Sequence, residues 1–402
     1  MILIDLTHTS HSRVNTGIQH VCRMLYNELI GENSGIAVTF DPFRDAWRKL
    51  NKEELRNLCL SENDVPDGKR GKSWPIKMRI ESYMGRFFNL KTNEILSQNT
   101  HYEGLIAPEI FSPQQFLAYK ILAEKIKGPK IAVFYDAVTL SLPEYAPKKT
   151  IEKFPTYLNS LLWFDGITAI SEASKNELLN YWEDNGHKTH PPVVTIPLGT
   201  NLHPLREASE TKDSTEKLPT ILTVATIEGR KNHLSLLRAA ETLWEQGFNF
   251  SLKLVGKMQN ETGEAAYQYI RELQQMGRDL IWTGPLSEKE LHAAYRECAF
   301  TIYPSLYEGF GIPILESLSF GKPCICSNGG AMSESAQGGG CLILKDPDAK
   351  NIAVSISNLL RDKDLFRKLS AEACARRYKS WKTYSHELRD WMSSLQFNRV
   401  ER

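Results

Sequence analysis

The sequence predicts an α/β protein of two doubly wound domains. Three observations carry this: the chain's length, an alternation of short apolar runs with helix-period segments that starts twice, and a polar stretch between the two starts. At 402 residues the chain is roughly twice the usual domain size and can bury two cores. Ile2-Leu3-Ile4-Asp5-Leu6 reads as a buried strand, and Thr16-Gly17 then opens an amphipathic run through Ile18, Val21, Cys22, Leu25 and Leu29 at helical spacing. Apolar runs recur at Leu105–Ala107, Ile131–Phe134, Gly166–Ile170 and Val193–Ile196, with helical segments such as Ser174–Tyr181 between them. Such alternation implies a mostly parallel sheet covered by helices.

From His203 to Leu218 apolar periodicity disappears, and 206–217 reads as a linker between a first domain, 1–205, and a second, 218–377. Behind it the pattern restarts with strands at Ile221–Val224, Ser251–Gly256, Leu280–Trp282, Phe300–Tyr303 and Pro323–Ser327, and helices at His233–Gln246 and Ala265–Met276. The tail 378–402 reads as a helix that returns to the first domain through Trp381, Leu388, Trp391, Met392 and Leu395. Residues 44–100 fit the alternation poorly. Within them Ile76, Ile80, Tyr83, Met84 and Phe87 form an apolar stripe among Lys69, Arg70, Lys72, Lys77, Arg79, Arg86 and Lys91. That pattern suits either a helix packed on its own domain or one docked on an anionic membrane surface.

Composition excludes several classes. A formal net charge of +1 lacks the basic footprint of a nucleic-acid binder. Seven scattered cysteines make neither a disulfide framework nor a zinc spacing and fit a reduced, cytoplasmic setting. Cys324 and Cys326, two apart in a strand-like run, point to one face and belong to the core. The amino terminus carries no secretion signal, and no stretch approaches the ~18 apolar residues that span a bilayer.

Two stretches carry chemistry. In Ser305–Glu316 a glycine-rich loop follows a strand, and Pro313 marks the first turn of a helix. Loop amides and a helix N-terminus there make an anion site, with Gly309, Phe310 and Gly311 close to a bound diphosphate. Glu308 and Glu316, eight positions apart, can face one crevice at different depths. Glu228-Gly229-Arg230-Lys231-Asn232-His233 likewise joins a strand to a helix, and two adjacent cations at such a junction suit a departing pyrophosphate. His233 is expected to pack or cap its helix. Neither stretch carries an Asp-x-Asp cluster of the kind that would hold a divalent metal under a diphosphate, so no metal or cofactor is expected.

With these motifs the chain resembles glycosyltransferase family 4, retaining enzymes of the GT-B fold in which two Rossmann-like domains face each other across a cleft. The match rests on Glu308-Gly-Phe-Gly-Ile-Pro-Ile-Leu-Glu316, Arg230-Lys231-Asn232, Gly321-Lys322-Pro323 with Glu334, Ser171–Lys175 and Ile196–Gly199. Arg13–Gln19 resembles members that build bacterial surface polysaccharides, often mannosyl- or rhamnosyltransferases. The resemblance implies a nucleotide-diphosphate sugar as co-substrate, GDP-mannose first, and a glycan or lipid-linked glycan acceptor at the inner face of the plasma membrane. It places Gly17 under the donor diphosphate, Glu308 on the transferred sugar, Glu316 on the ribose, and Trp282–Leu286 near the base. Where many members have a His-Asp pair, this chain has Tyr135-Asp136. Tyrosine is a poor base at neutral pH, so Tyr135 is expected to position the acceptor, and Asp136 to hold an acceptor or sugar hydroxyl. His8 and His11 follow the first strand and are acceptor candidates. The competing readings are a nucleotide-sugar epimerase, a phosphorylase, or an inactive carbohydrate-binding scaffold.

Overall fold

The computed structural model describes residues 1–65, 74–87, 101–201 and 218–395. The segment 206–217, read as a linker, and the basic residues Lys69, Arg70, Lys72 and Lys91 lie outside the described residues, as do the side chains of Arg86 and Phe87.

The first sheet comprises β1 (Ile2–Asp5), β2 (Gly35–Asp41), β3 (Ala46–Lys49), β4 (Gly104–Ala107), β5 (Lys130–Phe134), β6 (Gly166–Ala169) and β7 (Val193–Thr195), in the order β3-β2-β1-β4-β5-β6-β7. The second comprises β8 (Thr220–Val224), β9 (Ser251–Val255), β10 (Leu280–Trp282), β11 (Phe300–Tyr303), β12 (Cys324–Ser327) and β13 (Cys341–Leu344), in the order β10-β9-β8-β11-β12-β13. Every pairing is parallel except β2 with β3. Both orders reverse direction where the first strand of the sheet meets the fourth, and ligands of doubly wound sheets bind at the carboxyl ends of strands beside such a reversal. Strands β2, β3 and β13 were not anticipated from the pattern. The antiparallel β3 is why 44–49 breaks the alternation.

Each sheet has its own core. Leu3, Leu105, Ala132, Phe134 and Ile167 meet Trp47, Tyr119, Leu158 and Trp182 on one face of the first sheet. On its other face Ile4, Ile106, Ile131 and Val133 meet Val21, Leu25 and Leu29 of the helix Gly17–Gly31. Trp381, Tyr384, Leu388 and Met392, from the helix Trp381–Ser394, complete that second face, so the chain's last described helix seals the first domain. Ile221, Leu252, Phe300 and Ile325 anchor the second sheet's core. Cys324 and Cys326 are fully buried, and all seven cysteines are free.

Candidate functional site

A cavity of about 730 Å³ lies between the domains, lined by Thr16–Val21 and Tyr135–Asp136 on one side and by Arg230, Lys231, Leu286 and Glu308–Pro313 on the other. The carboxyl ends of β8 and β11 open into it, the position that the strand orders predict.

The cationic element is built by an unusual backbone. Gly229–Lys231 form a single 3₁₀ turn, and Asn232 follows in the left-handed region at φ 58°. Asn232 holds that conformation by donating its amide to Pro304 O (3.3 Å) and Pro347 O (2.6 Å). The turn thereby directs Lys231 inward, where its Nζ donates to the Tyr303 hydroxyl (2.7 Å) and to Glu308 Oε1. Arg230 reaches Glu308 Oε2 at 3.0 Å and Glu228 Oε1 at 2.8 Å. One carboxylate thus grips both cations. Burial alone would favour the neutral acid, but Lys231 and Arg230 outweigh it and hold the Glu308 carboxyl down at about 2. Burial and the neighbouring Arg230 push the Lys231 ammonium down, with Glu308 opposing them. With Glu228 included the cluster is formally neutral, which is how two cations tolerate burial.

On the facing loop, Gly311 adopts φ 97° as the N-cap of the helix Ile312–Ser319, with Pro313 in its first turn. The loop amides and the open N–H groups of that helix supply positive potential beside the cations. Glu316, in the second turn, accepts from the Tyr295 hydroxyl at 2.8 Å, and burial raises its carboxyl to about 7. A native-state pKa above the unfolded value means that ionising Glu316 costs stability as pH rises from about 4.5 towards 7. Glu316→Gln is therefore expected to raise the unfolding temperature at pH 8 and to leave it nearly unchanged at pH 4, read by calorimetry at both values.

Across the cleft Asp136 accepts from Val138 N at 3.2 Å; burial pushes its carboxyl up to about 6 against the pull of Arg230. Tyr135 does not present its side chain to the cavity. The ring is buried in the first core, and the hydroxyl donates to Pro108 O at 2.8 Å, which corrects the expected acceptor role. His11 is also removed from the cleft: its ring stacks on Trp74 at 3.8 Å and pairs with Glu54 at 2.7 Å. His8 does line the cavity, in contact with Gln19. Its main-chain N–H donates to Glu109 at 2.6 Å. Gly17 opens its helix opposite the Glu308–Gly311 loop, and a Cβ there would sit 3.8 Å from Ile312. Leu286 lies beside Glu288, His292 and Phe320, a patch suited to a base. His233 is buried beneath Lys231, and burial holds its pKa down at about 3, so it stays neutral. Tyr303 and Tyr295 escaped the sequence reading. Tyr303 ends a strand at the reversal point, and that position is the signal that could have found it. Among the described residues no set of three His, Cys, Asp or Glu side chains is arranged to hold a metal ion.

Residues 206–376 match the family described as glycosyl transferases group 1. That stretch contains the second sheet, together with Arg230, Lys231 and Glu308. Over 355 residues and 84% of its length the chain is 28% identical to the serotype-specific mannosyltransferase WbdA of Escherichia coli. It covers only 40% of that protein. It is 29% identical over 252 residues to the O-antigen chain mannosyltransferase B of Escherichia coli, with 60% of this chain and 63% of that one covered. In fold, it is similar to a sucrose-phosphate synthase from Thermosynechococcus elongatus (TM-score 0.67, 15% identity, 98% of both chains). It also resembles HepE from Anabaena in complex with UDP and glucose (TM-score 0.65, 14% identity, 98% of this chain and 99% of that one). The two domains share the GT-B fold of these neighbours, with the Arg230–Lys231–Glu308 cluster on the wall of the domain that the family match covers.

Proposed function

We propose that the chain transfers a sugar, mannose from GDP-mannose in the first instance, onto a glycan or lipid-linked glycan of a bacterial surface polysaccharide, with retention at the anomeric carbon. The observation that carries the reading is the Arg230–Lys231–Glu308 cluster beside an open helix N-terminus, facing Asp136 across the cleft. The likeness to O-antigen mannosyltransferases supports mannose and a surface polysaccharide.

In this mechanism the diphosphate sits on the N–H groups of Gly309–Gly311 and of the following helix, and the ribose hydroxyls donate to Glu316. Arg230, held by Glu308 and Glu228, would exchange part of that pairing for the phosphate. The C1–O bond to phosphate breaks while the acceptor oxygen bonds to C1 on the same face. The acceptor's proton passes to the leaving phosphate oxygen, whose growing negative charge Arg230 and Lys231 stabilise. Asp136 holds a hydroxyl of the acceptor or of the transferred sugar. Domain contact over the cleft aligns the reactants and limits hydrolysis. Incubating the full chain with GDP-[14C]mannose and an undecaprenyl-linked oligosaccharide tests this: labelled, α-linked product supports it, whereas inverted product rules out the retaining step.

The acceptor's lipid carrier would bring the protein to the inner membrane face. The helix Ile76–Phe87 supports this part of the reading, since Ile76, Ile80, Tyr83 and Met84 are all exposed, beside an exposed Lys77. Among the described residues no helix is long and apolar enough to cross a membrane, so contact would be peripheral. Ile76→Ser with Ile80→Ser and Lys77→Glu is expected to abolish sedimentation with phosphatidylglycerol vesicles. Unchanged sedimentation would remove the membrane from the account.

A further inference from the structure

The two domains touch through a contact that no part of the mechanism above uses. Glu334 sits in the short helix Met332–Ala336 of the second domain. Its carboxylate accepts from the N–H groups of Glu172 (3.0 Å) and Ala173 (2.8 Å). These are the first two residues of the helix Glu172–Asp184 in the first domain. Within that domain Ser171 Oγ accepts from Ser174 N at 3.0 Å. The open donors of one helix N-terminus are therefore shared between its own cap and a carboxylate from the other domain.

Both ends of this contact continue into the reaction site. On the first-domain side, the Ser174 hydroxyl donates to Tyr135 O at 2.6 Å, the residue before Asp136, and lies 3.3 Å from Gly309 O in the donor loop. On the second-domain side, Ala331 N donates to Glu308 O at 2.9 Å and the Ser335 hydroxyl to Phe310 O. Glu334 lies between Ala331 and Ser335, so its helix is fastened to the loop that holds Glu308, and the helix it grips is fastened to the strand end that presents Asp136.

We propose that Glu334 is a positioning residue for transfer: by docking on the helix Glu172–Asp184 it sets the register of the donor loop against Asp136 without touching the donor. The proposal rests on the glycosyl-transfer reading for its kinetic test. A carboxylate is suited to the task because its two oxygens meet two parallel N–H donors and its charge meets the positive end of the helix. Domains in one chain move relative to each other unless something fixes them, and a misplacement of about 1 Å between reacting groups costs on the order of 100-fold in rate.

The test is Glu334→Ala and Glu334→Gln in the full chain. The donor seat lies in the second domain, so nucleoside-diphosphate affinity in Glu334→Ala is expected within about twofold of the parent, while kcat falls roughly 10- to 100-fold. Glu334→Gln keeps one carbonyl acceptor and should lie between. An unchanged kcat would overturn the proposal, and so would a parallel loss of nucleotide affinity, which would make Glu334 a general support of the fold. A readout independent of catalysis uses the two exposed cysteines, Cys59 in the first domain and Cys374 in the second, as spin-label sites. The Cys59–Cys374 distance distribution should broaden in Glu334→Ala, and an identical distribution would overturn the latch. If the parent protein transfers no sugar from any donor, the glycosyl-transfer reading fails and the label distances alone decide the latch.

Discussion

Lys231→Ala is expected to abolish sugar transfer and to lower the stability of the fold in the same stroke. Its ammonium and the Glu308 carboxylate are each about nine-tenths buried, and removing one partner of such a pair leaves a buried charge, at a cost of about 3–5 kcal/mol. Arg230 remains beside Glu308, which places the expected loss near the lower end. The two consequences separate in a second variant. Lys231→Met with Glu308→Gln removes both charges together, so unfolding temperature should return to within a few degrees of the parent while transfer stays absent. Recovery of transfer in that double variant would remove the cluster from the chemistry.

Gly309→Ala is the other large effect. A Cβ at Gly309 would come within 2.6 Å of Tyr135 O and 2.8–2.9 Å of the Asp136 side chain. The obstruction is backbone of the opposite domain, so the two walls of the cleft must separate for the methyl to fit. A rate loss of about 100-fold or more follows if the donor loop must meet Asp136 closely for reaction. Gly31→Ala is the control: a Cβ there, at the carboxyl end of the helix Gly17–Gly31, meets nothing within 4 Å. It should retain near-parental kcat. Equal losses in both variants would show that cleft width matters less than glycine itself at these positions.

What could be read from the sequence and what could not divide on a physical line. Glu308, Glu316, Arg230 and Lys231 were legible because each sits at a strand-to-helix junction whose local grammar, a glycine loop or a charged turn, is written in consecutive residues. Most of the parallel strands were legible as continuous apolar runs, but β2 and β13, also parallel, were not. Tyr135 was misassigned because adjacency to Asp136 says nothing about which way a side chain turns at a strand end; its ring enters the core and its hydroxyl is spent on Pro108. The grip of Glu334 on residues 172 and 173 joins positions more than 160 apart, and only tertiary structure brings them together. The pairing of Glu308 with both cations was equally hidden, since spacing brings charges near one another without saying which will satisfy which.

The most direct test of the account is a thermal-shift titration of the full chain with GDP, UDP, ADP, CDP and TDP and their mannose, glucose and rhamnose conjugates, repeated on Lys231→Ala and Glu316→Ala. Binding to the folded state alone must raise its stability, by about 2.7 kcal/mol at a hundredfold excess over Kd. One nucleotide, GDP first, is expected to raise the unfolding temperature of the parent, and both variants are expected to lose the response. A response of equal size in the variants, or none to any nucleotide in the parent, would contradict the account.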